Sequence, residues 1–213
     1  MAAFIANRIR LVGMIRSPLR STVPDRSNGY EAVAEEFARA RTPTIGPRVV
    51  REWAQGLPPG ASILDIGCGH GIPISQALLQ DGFTVYGVDA SATLVSKFRE
   101  RFPNASVECS SVEDSLFFSR TFDALVAWGL IFILPVETQR GLIGKVARTL
   151  NRHGQFLFTS PKQACTWIDC MTGLPSISLG HEVYEQELAG HGLVLVGNDE
   201  DEGENYYYFA TKS

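Results

Sequence analysis

The apolar positions of this chain switch repeatedly between two periods. Ser62-Ile63-Leu64-Asp65-Ile66 is a short, nearly continuous apolar run, as expected of a strand buried on both faces. Residues 72–79 (Ile-Pro-Ile-Ser-Gln-Ala-Leu-Leu) then read as a helix with proline in its first turn. The exchange repeats: a strand over 84–89, a helix over 92–102 with Leu94, Val95 and Phe98 inward, and strands over 106–110 and 122–128. A helix over 136–150 and a strand over 154–159 follow. Upstream, Tyr30, Val33 and Phe37 fall at helical spacing. Val49, Val50, Trp53 and Leu57 mark one side of a second helix, which Pro58-Pro59-Gly60 ends.

Helices alternating with apolar strands predict an α/β fold, doubly wound, with a mostly parallel sheet covered on both faces. The end of the chain breaks the rhythm. Strands over 193–196 and 206–211 are separated by a short polar stretch with no helical pattern. A parallel crossover needs about a dozen residues or more, so the last strand is expected to run antiparallel, as a hairpin. The reading predicts a seven-stranded sheet with one reversed strand.

With 213 residues, 45% hydrophobic and 20% charged, the chain has the composition of one water-soluble domain. Its four cysteines, Cys68, Cys109, Cys165 and Cys170, form no Cys-x-x-Cys pair, so no structural metal is expected and reduced thiols in the cytoplasm are. No apolar run is long enough to span a bilayer. The formal net charge of -4 is unevenly spread. Residues 1–24 carry four arginines and no acid, with apolar residues at intervals that suit a basic amphipathic helix at a membrane surface or in a targeting segment. A plain tail is the simpler reading, and it gives a flexible N-terminal segment over 1–27. Residues 163–211 carry acids and no lysine or arginine, which argues against nucleic acid as a partner.

The chemistry concentrates in Asp65-Ile66-Gly67-Cys68-Gly69-His70-Gly71. A glycine-rich turn between strand and helix lets a ligand lie against bare backbone, facing unpaired helix N–H groups. The nicotinamide dinucleotide fingerprint has a two-residue gap before its third glycine; here the gap is one residue. Residues 63–71 resemble instead the first motif of the class I S-adenosylmethionine-dependent methyltransferases, an acid followed by Gly-x-Gly-x-Gly. The resemblance covers roughly residues 28–212, and implies strand order 3-2-1-4-5-7-6 and S-adenosylmethionine as cofactor. It also implies a helical cap over 28–60 and a single methyltransferase domain over 28–213.

Ligands of such sheets sit beyond the carboxyl ends of the strands. The resemblance implies that Gly67, Cys68, Gly69 and Gly71 shape the cofactor turn, and that Asp65 accepts from the cofactor's ammonium. Asp89, 18 residues on from Gly71, matches the family's ribose-binding acid, with Ala90 and Ser91 beside the adenine. An exposed helix-capping aspartate is the other reading of Asp89. The family often has an aspartate where Ser111 stands; here Ser111, the Val112 N–H and Glu113 are the candidates for the adenine edge. Trp128 and Gly129 match the wall behind the methionine part, with core packing the alternative for Trp128. Tyr30 and Arg41 belong to the cap. Arg41 reads either as a partner of the methionine carboxylate or as a cation at a helix end.

The substrate side carries less. Residues 161–181 read as a long, apolar, irregular lid, and His181 at its end is the candidate general base or else a packed helix-start residue. Methyl transfer is an in-line displacement from a positively charged sulfur and needs alignment more than a base or a metal. The expected function is methyl transfer to an oxygen, nitrogen or sulfur of a small molecule by a monomer or homodimer. The rivals are a catalytically silent cofactor-binding subunit and a nicotinamide-dependent oxidoreductase.

Overall fold

The computed structural model describes residues 25–213; the readings made on residues 1–24 lie outside the described residues. At its centre is the seven-stranded sheet, in the order β3-β2-β1-β4-β5-β9-β8. Its members are β1 (Ser62–Ile66), β2 (Thr84–Asp89), β3 (Ser106–Cys109), β4 (Phe122–Ala127), β5 (Leu150–Thr159), β8 (Leu193–Glu200) and β9 (Tyr206–Lys212). The pairs β1–β2, β1–β4, β2–β3 and β4–β5 are parallel, while β9 lies antiparallel between β5 and β8. This is the reversed final hairpin that the short polar link predicts, and the implied strand order holds once the strands outside this sheet are passed over.

Side chains alternate across the sheet, and both sides are covered. Leu64, Ile66, Leu125 and Phe156 pack under α5 (Val136–Thr149) and α6 (His181–Gly190). Ile63, Val85, Ala124 and Leu157 pack under α2 (Pro47–Ala54) and α3 (Ile74–Gln80). Burial of both faces is why the strands read as continuous apolar runs rather than alternating ones. α4 (Ala92–Arg101) buries Leu94, Val95 and Phe98, the face its spacing predicts.

Three local differences from the sequence reading have physical causes. Residues 28–33 form turns, and α1 starts only at Ala34 (Ala34–Ala40). Asp25 organises this entry, since its carboxylate accepts from the N–H groups of Ser27 and Gly29, so the folded chain starts before residue 28. Pro73 stands at the N-cap of α3 rather than inside its first turn. The expected irregular lid is a two-stranded antiparallel hairpin, β6 (Cys165–Ile168) with β7 (Pro175–Ser178). Thr166-Trp167-Ile168 supplies β-forming residues, and Asp169 and Gly173, the latter at φ 70, supply the turn.

Candidate functional site

The carboxyl ends of β1 to β4 open into one cavity of about 480 Å³, flanked by the segment before α2 and by the β6–β7 hairpin. The first turn shows how the sequence makes room. Gly67 and Gly69 have φ of 72 and 53, conformations that side chains disfavour. The N–H of Gly67 donates to the Val88 carbonyl at 2.7 Å, which fixes the turn against β2. A Cβ on Gly67 would come within 2.9 Å of Leu130, whereas above Gly69 the nearest atom is on Phe37 at 3.6 Å. Gly69 is thus the bare backbone facing the cavity. Gly71 does other work: a Cβ there would collide with the rings of Phe98 and Phe102, and Gly71 lines no part of the cavity. The Cys68 thiol is buried beneath Gly87, and burial pushes its pKa well up, so it is an inert filler.

Two carboxylates flank the turn. Asp89 ends β2 on the cavity wall. Its Oδ2 accepts from Gly69 N–H and its Oδ1 from Ser91 N–H, both at 2.8 Å. Each carboxylate oxygen accepts two bonds, so Asp89 keeps capacity for further donors. Burial raises its pKa to about 6. Asp65 is 2% exposed, accepts from Ser75 Oγ at 2.6 Å, and is pushed up to about 7 by burial. It lies below the main cavity, in a smaller recess shared with Arg41, Gly69 and Trp128.

Arg41 follows α1 with its guanidinium 4.1 Å over the Trp128 ring and 5.0 Å from Phe37. Its Nε is buried without a hydrogen-bond partner among the described residues, and burial pulls its pKa down to about 10. A desolvated cation with an unused donor is a site for an anion. Trp128 is both core and wall. Its Nε1 donates to Tyr207 OH, which donates to Asp201 Oδ2, both at 2.7 Å. Gly129 N–H donates to Thr159 Oγ1 at 2.8 Å.

Of the other candidates, Tyr30, Ala90, Val112 and Glu113 line the cavity, but Ser91 and Ser111 do not. Ser91 is the N-cap of α4: its hydroxyl accepts from Leu94 N–H and donates to Glu31. The Ser111 hydroxyl accepts from the Asp114 N–H at 3.2 Å, which caps the turn. Lys145 of α5 donates to the carbonyls of Val112 and Ser115 and so holds this loop to the wall. His181 stands apart. It opens α6, its ring stacks on Tyr208 at 5.7 Å, and it lines no part of the cavity. Of the two roles weighed for it, the geometry is that of a packed helix-start residue.

The hairpin stands where a lid or binding loop with Trp167 and Met171 is expected, and adds Asp169, which spacing does not single out. Trp167, Asp169 and Met171 reach the cavity from it, opposite Phe132, with Asn205 on the rim. The turn signal at Asp169 and Gly173 was available in the sequence, but which side of the sheet it faces depends on the crossover.

The cavity thus brings together bare backbone at Gly69, a carboxylate with spare acceptors at Asp89 and a cation at Arg41 whose buried Nε has no partner among the described residues. A family model described as a methyltransferase domain matches residues 63–154. An uncharacterized methyltransferase from Synechocystis is 29% identical over 113 residues, 53% of this chain and 52% of that protein; the match spans about half the length of that curated relative. Magnesium protoporphyrin IX methyltransferase from Synechocystis PCC 6803, solved with S-adenosylmethionine bound, superimposes with TM-score 0.70 at 15% identity over 92% of this chain and all (100%) of that one. A TehB-like S-adenosylmethionine-dependent methyltransferase from Corynebacterium glutamicum gives 0.64 at 20% identity, covering 88% of this chain and 97% of that one. The chain carries the fold of the S-adenosylmethionine-dependent methyltransferases, and its residues 63–154 match the methyltransferase domain. The chemistry of these donors and acceptors is compatible with S-adenosylmethionine, which has a carboxylate to meet Arg41 and vicinal hydroxyls to meet Asp89.

Proposed function

We propose that the protein transfers the methyl group of S-adenosylmethionine to a small-molecule acceptor by in-line displacement. The observation that carries this reading is that Arg41, Gly69 and Asp89 face one cavity at the strand ends. Bound there, S-adenosylmethionine supplies an electrophilic methyl on a positively charged sulfur. Asp89 accepts from the ribose hydroxyls. Arg41, held flat between Trp128 and Phe37, pairs with the carboxylate of the methionine part, and Asp65 sits below as the acceptor for its ammonium. Trp128 offers an aromatic face to the sulfonium. Val112 and Ala90 enclose the adenine, with Glu113 at the rim. The hairpin acts as the lid that keeps water out.

The modest size of the cavity, about 480 Å³, supports a small acceptor, and the acidic C-terminal quarter supports the exclusion of nucleic acid. Among the described residues no helix is long and apolar enough to cross a membrane. All four cysteines are unpaired, in keeping with a reducing, cytoplasmic setting. Calorimetric titration with S-adenosylmethionine, S-adenosylhomocysteine and NADH tests the reading: the first two bind and NADH does not. Preference for NADH overturns it. Cofactor binding with no methylated product from any acceptor class would instead leave a silent binding subunit.

A further inference from the structure

Once the cofactor contacts are assigned, part of the cavity wall remains. Its walls are Leu130, Phe132, Ile133, Trp167 and Met171, with Asp169 at the hairpin tip. The rings of Phe132 and Trp167 lie 5.3 Å apart, tilted by 46°. Asp169 divides its two oxygens. Oδ1 accepts from the N–H groups of Met171 and Thr172, at 2.9 and 2.8 Å, and from Thr172 Oγ1 at 3.1 Å, which fixes the turn. Among the described residues Oδ2 accepts only from Tyr30 OH, at 3.1 Å. Among the described residues Asp169 forms no ion pair, whereas Glu113, the other acid on this rim, is paired with Arg26 at 3.4 Å.

We propose that the methyl acceptor is an organic amine on a planar, apolar body, its nitrogen against Asp169 and its body beside Phe132 and Trp167. This rests on methyl transfer from S-adenosylmethionine as the reaction. Methyl transfer moves charge. The ammonium form of the acceptor first loses a proton to bulk water. The nitrogen lone pair then forms the new N–C bond while the C–S bond breaks, its electron pair passing to sulfur. The positive charge leaves sulfur and appears on nitrogen, and the product departs as a methylammonium. A carboxylate beside that nitrogen binds the cationic acceptor and interacts more strongly as charge develops there. The aromatic faces act in the same sense. An anionic acceptor such as a phenolate or carboxylate meets the opposite field. The cations of the cavity wall are Arg26, tied to Glu113, and Arg41, stacked over Trp128 at the cofactor end.

The test uses the full chain saturated with S-adenosylhomocysteine and three probes of one shape: 2-naphthylmethylamine, 2-naphthylmethanol and 2-naphthoate. Binding is followed by calorimetry. The amine is expected to bind about tenfold or more tighter than the alcohol, with the carboxylate weakest. Asp169→Asn keeps an oxygen for the turn and removes the charge; with S-adenosylhomocysteine kept saturating, it is expected to bring the amine to the level of the alcohol. Trp167→Leu is expected to weaken amine and alcohol alike. Equal binding of amine and alcohol, a preference for naphthoate, or no binding of any probe by the native protein overturns the proposal, and this ranking decides even if Asp169→Asn does not fold. Failure of S-adenosylhomocysteine to bind at the outset overturns the cofactor reading itself, and the acceptor class falls with it.

Discussion

The phenol of Tyr30 donates to Asp169 Oδ2 at 3.1 Å across 139 positions of sequence, tying the segment before α1 to the tip of the β6–β7 hairpin above the cavity. The bond joins two elements that both line the cavity. Tyr30→Phe leaves the ring, which packs edge-on against Phe37 at 5.3 Å, and removes only the donor. A hydrogen bond to a charged acceptor contributes about 1.5–3 kcal/mol, so the dissociation rate of S-adenosylhomocysteine is expected to rise by roughly tenfold or more. Stopped-flow displacement measures it; an unchanged rate means that this bond does not gate exchange.

Gly69 and Gly71 belong to one motif but are predicted to fail differently. Both have positive φ, so alanine at either is strained by about 1–2 kcal/mol. At Gly69 the added carbon stands on the ligand side, in ordinary contact with Phe37. Gly69→Ala is expected to lower cofactor affinity by tenfold or more with a modest loss of stability. At Gly71 the carbon meets Phe98 and Phe102, so Gly71→Ala is expected to lose about 1–3 kcal/mol more in stability through overpacking. Thermal melts and calorimetry on both variants separate the two effects; equal loss of affinity with equal stability removes the distinction.

Asp65 and Asp89 give the ligand-free protein an unusual pH dependence. Burial raises their pKa values from 3.8 to about 7 and about 6. Between those values and 3.8 the folded state binds more protons than the unfolded chain, so stability falls as pH rises through this window. The contribution is fully present below the unfolded value. Asp65→Asn keeps an acceptor for Ser75 Oγ and removes the charge; it is expected to flatten the profile and to raise Tm at pH above 7 by roughly 5 °C. Cofactor affinity runs the other way: below about pH 6 Asp89 takes up a proton and loses acceptor capacity. Melts from pH 4 to 8 with no slope between the two states contradict this account.

His181→Ala is expected to leave turnover within about twofold of the parent at saturating cofactor, because the imidazole packs on Tyr208 outside the cavity. A drop of a hundredfold restores a catalytic role and requires a rearrangement of α6.

The sheet was legible because buried parallel strands are continuous apolar runs, and because too few residues separate β8 from β9 for a crossover. Asp89 and Gly69 were legible because local spacing fixes them at strand ends. Gly71 and Ser111 were not separable from their neighbours, since a one-residue step in a tight turn decides whether a group faces ligand or core. The lid read as irregular because Asp169, Thr172 and Gly173 interrupt its alternation; pairing across β6 and β7 restores it. Asp169 as a partner of Tyr30 depends on tertiary approach, which no local pattern encodes.

Gln139 is the buried fastener beneath the hairpin. It is 0% exposed; its Nε2 donates to the carbonyls of Leu134 and Ile177, both at 2.9 Å, and its Oε1 accepts from Tyr184 OH at 2.7 Å. Leu134 is cavity wall and Ile177 belongs to β7, so one amide joins α5, α6, the wall and the lid. Gln139→Leu keeps most of the volume but strands two buried carbonyls. Each unsatisfied group costs about 1–3 kcal/mol, so a total loss of roughly 2–4 kcal/mol is expected. Tyr184→Phe leaves both carbonyls paired but strips the buried Gln139 Oε1 of its donor and the Leu179 N–H of an acceptor, so a comparable loss of roughly 2–4 kcal/mol is expected with the hairpin still fastened. Denaturant unfolding gives the two losses, and limited proteolysis within 161–181 reports the lid. If Gln139→Leu is as stable as the parent and its hairpin no easier to cut, the lid is held by its strand pairing and by Asp169 alone.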